Sequence, residues 1–144
     1  MNHENRIKTL NALLAVSKSP ELLWERAALF ESLGTELLKD CYVTAALEKF
    51  RASVADKRKA LLAEESVATR PKDVEATNFR RLALARNYLG IAMLEKWSQR
   101  FDRARTAAEA ARRTLKNAEF FTASAQGERA NILHVVLTFL AELP

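Results

Sequence analysis

A chain of 144 residues that is 49% hydrophobic has enough apolar material for one domain with a core, which excludes a disordered chain. A single cysteine, Cys41, excludes an internal disulfide, and beside only two histidines it excludes a zinc site of histidine and cysteine within one chain. The net charge of +5 is local: residues 1–40 carry five basic and six acidic groups, whereas residues 100–116 carry six basic and two acidic.

Three glycines and three prolines leave few places to turn, and the abundant alanine, leucine, glutamate, lysine and arginine favour helix. The expected fold is all-α, with five to six helices in a single helical domain over residues 1–144. Residues 5–16 read as an amphipathic N-terminal helix, with Ile7, Leu10, Leu13 and Leu14 at helical spacing. Ser19-Pro20-Glu21 is a helix start, with serine as N-cap and proline first in the helix. The next helix carries Leu23, Ala27, Phe30, Leu33, Gly34 and Leu37 on one face and ends near Asp40-Cys41. A second long helix runs from about Tyr42 to Glu65 and buries Val43, Ala46, Leu47, Phe50, Ser53, Val54 and Leu61. Thr69 to Asp73 is a loop, with Asp73 capping a third long helix. That helix carries Phe79, Leu82, Ala85, Leu89, Gly90, Ala92 and Met93. Trp97-Ser98-Gln99 turns the chain into a fourth helix with Phe101, Ala104, Ala108, Ala111 and Leu115 inward, ending near residue 117. Gly127 argues against an unbroken helix over 118–127, so the last helix is expected over 128–142.

The order long helix, turn, long helix therefore occurs twice, over 20–65 and 73–117. Gly34 and Gly90 stand 56 residues apart, each after a leucine, and the second turn is expected to be two residues longer. A glycine inside a helix costs about 1 kcal/mol relative to alanine. Close approach of the partner helix in each hairpin is the simplest reason to keep one at both places.

Leu33-Gly34 followed by Ala46, Phe50 and Ser53 resembles the tetratricopeptide consensus, with a Leu-Gly pair on the first helix and small, aromatic and small residues on the second. The stretch from Phe79 to Gly90 is similar to the first helices of long-repeat members. The resemblance covers residues 20–116. It implies a right-handed solenoid of antiparallel hairpins, lengthened beyond the usual repeat of about 34 residues. The second copy has Ala108 where the aromatic is expected. In this family the first helices line a groove that receives peptides or helices. The resemblance thus assigns groove positions to Glu31, Ser32, Thr35, Leu38 and Lys39, and to Leu84, Asn87, Tyr88, Ile91, Leu94 and Glu95. Members that clamp chaperone C-termini place asparagine right after the Leu-Gly pair. Thr35 and Ile91 stand there, which disfavours that ligand.

Catalysis is not expected. No glycine-rich phosphate loop and no nucleophile elbow occurs, and Glu64-Glu65 read as a solvated helix end. His134 reads as a hydrogen-bonded core or interface residue. No cofactor and no metal are expected. The apolar set Leu84, Tyr88, Ile91 and Leu94 needs a cover, either the protein's own last helix or an external ligand. That last helix is apolar nearly all round, so one face packed inward leaves another for self-association through Val136, Leu137, Phe139 and Leu140. The leading expectation is a protein–protein interaction module with a protein or peptide partner, self-associating as a homo-oligomer. The alternative is a binder of nucleic acid or another anionic surface through the basic helix 100–116, with Arg103, Arg105, Arg112, Arg113 and Lys116 as its patch. The simpler reading of that patch is a solvated face on which Glu109 pairs with Arg105 and Arg113. Residues 1–8 are polar and show no leader. Residues 132–143 hold His134 and Glu142 and are too short to span a bilayer, so a cytoplasmic protein without a membrane partner is expected.

Overall fold

Helix boundaries follow the few breakers and caps. The structure, a computed structural model, describes residues 2–144. Among these there are six α-helices, one short 3-10 turn and no strand. Helix α1 (His3–Val16) starts behind Asn2, whose side chain accepts the Glu4 N–H at 2.8 Å. Helices α2 (Pro20–Lys39) and α4 (Pro71–Trp97) both begin on proline, whose missing N–H is not needed in the first turn. Helix α4 therefore starts two residues earlier than expected. Arg70 is the extended residue before it, and Asp73 sits inside the first turn, paired to Arg70 at 2.9 Å. Helices α3 (Val43–Glu65) and α5 (Phe101–Leu115) complete the two hairpins. Helix α6 (Ala123–Glu142) begins five residues before the expected start. Gly127 lies inside it with open space around it, and one exposed glycine does not stop a helix whose other face is packed.

The described chain forms two compact units. The first runs to Ser66 and holds α1, α2 and α3. Helices α2 and α3 are antiparallel: Trp24, early in α2, donates its Nε1–H to Glu64 at the end of α3 at 2.6 Å. Glu64 is thus a packing partner and not merely a solvated helix end. Between these helices Ala27, Ala46, Leu47, Val54 and Leu61 are buried. Ser53, also buried, donates its hydroxyl to the Ala27 carbonyl at 2.8 Å. Arg26 forks onto Asp56 with two hydrogen bonds of 2.7 Å, and these bonds hold its guanidinium above its ordinary pKa. Arg26 also donates to Asn11 of α1 at 2.9 Å. Arg6 of α1 forks in the same way onto Glu25, which its hydrogen bonds hold below the ordinary carboxylate value.

The second unit, Val67–Pro144, holds α4, α5, α6 and the 3-10 turn Ala118–Phe120. Its core is Leu82, Ala85, Leu89 and Ala92 of α4 against Ala104, Ala107, Ala108, Ala111 and Leu115 of α5, with Ile132, Val136 and Phe139 of α6 also buried.

The two hairpin turns are the same. Lys39 and Trp97 end the first helices, and Val43 and Phe101 begin the second. Between them Cys41 and Gln99 take left-handed backbone, with φ of 63° and 62°. Cys41 N–H bonds the Leu38 carbonyl and Tyr42 N–H the Leu37 carbonyl; Gln99 and Arg100 bond Lys96 and Glu95 identically. This is the Schellman arrangement, which satisfies the carbonyls left over at a helix end. In the second turn the two side chains it brings together, Glu95 and Arg100, form an ion pair at 3.1 Å.

Each of these matched pairs is 58 residues apart, so the turns have equal length and the expected 56-residue match of the glycines is wrong. Gly34 corresponds to Ala92, not to Gly90, and Phe50 to Ala108. A Cβ at Gly34 would lie 2.8 Å from Cε1 of Phe50. At Gly90 nothing lies within 4 Å, and the residue is exposed. The first hairpin fills the crossing with glycine and phenylalanine; the second fills it with two alanines.

This contrast is testable by chemical denaturation. Gly34→Ala should destabilise by about 1–3 kcal/mol through overpacking, whereas Gly90→Ala should stabilise by about 0.5–1 kcal/mol. In a Phe50→Ala background Gly34→Ala should cease to destabilise, the coupling expected of residues in contact. Arg26→Met leaves Asp56, whose side chain is 4% exposed, without its cation. It should cost about 3–5 kcal/mol, and Arg26→Met with Asp56→Leu should recover most of that in urea unfolding.

Candidate functional site

The position of α6 is set by the segment that precedes it. Asn78 of α4 is buried and spans Phe121 as a strand partner would. It donates to the Phe120 carbonyl and accepts the Thr122 N–H at 2.6 Å. Phe121, also buried, has the guanidinium groups of Arg81 and Arg129 near its ring, 5.2 and 5.6 Å from the centroid. Arg129 also donates to the Leu115 carbonyl at 2.6 Å and so caps α5, whose C-terminus favours a cation. Farther along, Arg86 of α4 pairs with Glu128 of α6, and Lys96 Nζ lies 5.4 Å from the Phe139 ring centroid.

Beyond these anchors the C-terminal half of α4 and the outer flank of α6 enclose an apolar groove of about 580 Å³. Met93, Lys96 and Trp97 line it from α4, and His134, Val135, Thr138, Phe139 and Glu142 from α6. Its apolar side chains are unusually open: Trp97 is 73% exposed, Met93 49% and Val135 43%. A concave site of this size with large apolar groups left in water is the form that binding sites take.

The groove positions that the resemblance assigned lie elsewhere on the chain. Their two sets fall in different units. On α2, Ser32, Thr35 and Lys39 are exposed and Leu38 is half-buried. Glu31 is drawn to Lys57 of α3 at 2.8 Å. On α4, Leu84, Ile91 and Glu95 are buried, and Asn87, Tyr88 and Leu94 are half-buried. Helix α6 meets the opposite side, where Arg86, Met93 and Lys96 stand.

The self-association set divides likewise. Val136 and Phe139 turn inward and Leu140 is half-buried, which leaves Leu137 exposed on the flank away from the groove. All five basic-patch residues, Arg103, Arg105, Arg112, Arg113 and Lys116, are exposed. Glu109 pairs with Arg112 at 2.9 Å rather than with Arg105 or Arg113, and Arg105 instead donates to the Pro144 carbonyl at 3.1 Å. Phe101 is half-buried, so the patch offers charge without a free ring for base stacking.

The sequence pattern placed Met93 on the apolar set of its helix, Trp97 in the turn and His134 in a core or interface, without bringing the three together into one groove. Phe79, of the same apolar set as Met93, is 71% exposed. The available signal was the face on which they sit: Arg86, Gly90, Met93 and Trp97 follow one another at helical spacing, and a charge and a glycine do not belong to a core stripe.

Among the described residues no cluster of three or more histidine, cysteine, aspartate or glutamate side chains is placed to hold a metal ion. No helix there is long and apolar enough to cross a membrane. Comparison with protein-family models, with curated proteins and with solved structures gives no match.

Asn78→Ala should leave the Phe120 carbonyl and the Thr122 N–H without partners. Both groups are only part-buried, so the expected cost is about 0.5–1.5 kcal/mol for each hydrogen bond lost, seen in thermal unfolding together with faster amide exchange over residues 117–127.

Proposed function

We propose that this chain is a protein-interaction module whose α4–α6 groove receives apolar side chains of another polypeptide. The observation that carries the reading is the groove itself. Trp97, Met93 and Val135 stand open beside the ring of Phe139, at an apolar cost in water of about 25 cal/mol per Å². Tryptophan is also the residue type most enriched among those that dominate interface energetics. Lys96, His134 and Glu142 supply the polar rim that gives such a site its specificity.

The architecture that supports this reading is tetratricopeptide-like. Two hairpins share one turn geometry and one 58-residue register, with small residues where their helices cross. Stacked as a right-handed solenoid, they would be lengthened repeats of that class. The binding surface differs from the one the class implies, because it lies between α4 and the last helix and not along the Leu84–Ile91 face. The reading assigns no catalytic residue.

A photo-crosslinking amino acid in place of Thr138, activated in cells, tests the proposal. It should yield a discrete adduct with a polypeptide, identified by mass spectrometry. Adding Met93→Glu should abolish the adduct while leaving the helical circular dichroism unchanged. No adduct, or one indifferent to Met93, overturns the proposal.

A further inference from the structure

The groove's own pairing of a base with an acid points to its occupant. We infer that it is filled by a second copy of this chain, with the two α6 helices antiparallel about a two-fold axis at Thr138. This rests on reading the groove as an interaction site.

The residues that α6 presents to the groove are His134, Val135, Thr138, Phe139 and Glu142. His134, Thr138 and Glu142 are spaced by four, and a row spaced by four is the ridge used in the commonest class of helix–helix packing. His134 and Glu142 stand about 6 Å on either side of Thr138 along the helix axis. Antiparallel pairing about Thr138 sets each His134 against Glu142 of the other copy, twice per dimer. Both side chains are exposed, and neither has a hydrogen bond or an ion pair among the described residues. The central residue is small, which lets the two backbones approach.

An interface between identical copies must be complementary to itself. This patch satisfies that condition three times. It holds a base and an acid at equal distances from its centre. It has an apolar hollow at Met93, Val135 and Phe139. It has an apolar projection in Trp97 at the hollow's edge, available to the partner's hollow. A single-sign rim would repel its own copy; this one attracts it.

The test uses the full chain in analytical ultracentrifugation. The wild type should be a dimer at tens of µM. His134→Glu sets carboxylates against each other, and Glu142→Lys sets a cation against His134. Each variant alone should raise the dissociation constant at least tenfold. An equimolar mixture of the two should dimerise again, because the introduced glutamate of one copy then meets the introduced lysine of the other, and the remaining His134 meets the remaining Glu142. The double variant should dimerise for the same reason. Both positions are exposed, and unchanged helical circular dichroism confirms folding. A wild type that stays monomeric at about 200 µM, or single variants that pair as well as the wild type, overturns the inference. A monomer whose Thr138 crosslinks to a different protein overturns the second copy alone and leaves the interaction-module reading in place. A monomer with no crosslink overturns both.

Discussion

Close approach of paired helices is the constraint on which the rest depends. In each hairpin the crossing residues are small: Ala27, Gly34 and Ala46 in the first, and Ala85, Ala92, Ala104 and Ala108 in the second. All are buried. Such residues bring little apolar area of their own, so the contacts must come from backbones brought near one another and from larger side chains laid across the gap. Phe50 over Gly34 is one solution to that geometry, and Ala108 beside Ala92 is another. The two occupy the same register because identical turns at Cys41 and Gln99 fix where each second helix begins. Both turns hold a residue with a side chain in left-handed backbone, a conformation that glycine adopts at lower cost.

The hairpins then part company in how they are closed. In the first, α3 outlasts α2, and its far end is tied back by Trp24 to Glu64. Three polar ties, Arg6–Glu25, Arg26–Asp56 and Glu31–Lys57, bind α2 to its neighbours. In the second the proportions reverse: α4 has 27 residues and α5 only 15. The early turns of α4 extend past the end of α5, and the segment at 117–122 covers them. Asn78 supplies the hydrogen bonds and Arg81 the ring contacts that a longer helix would have made unnecessary. Arg129 completes the arrangement by capping the short helix from α6.

Much of this was legible in the sequence. The places of both hairpin turns, the proline start of α2 and the alanine stripe of α5 follow from spacing and breakers, because those features act locally. The register between the hairpins did not follow. A repeated Leu-Gly pair looks like a repeated contact, yet only Phe50 makes glycine necessary, and the second hairpin has no such ring. The faces of α4 were misjudged for a related reason. A helix buried round most of its circumference carries no clear stripe, so Met93 and Phe79 fell in its apolar set while Leu84 and Ile91 passed for groove. Position along the chain does not reveal which side a later helix will take, and α6 took the side of Arg86.

That choice explains why an open groove survives in an otherwise well-packed unit. Helix α6 has apolar residues in excess of what one inward face requires. Ile132, Val136 and Phe139 face inward, and Val135 and Leu137 remain outside on opposite flanks. An apolar flank left in water invites indiscriminate association unless something restricts its partners. On the Leu137 flank, half-buried Leu133 and Leu140 flank a single open side chain. On the Val135 flank the restriction is electrostatic. His134 and Glu142 bracket the apolar row, and Lys96 stands over the ring that floors it. A wholly apolar or single-sign surface placed there would leave a charge buried without a counter-charge, at a cost of several kcal/mol. On the proposed reading, the same residues that would make the groove attractive to apolar side chains would limit it to partners carrying a base and an acid in matching places.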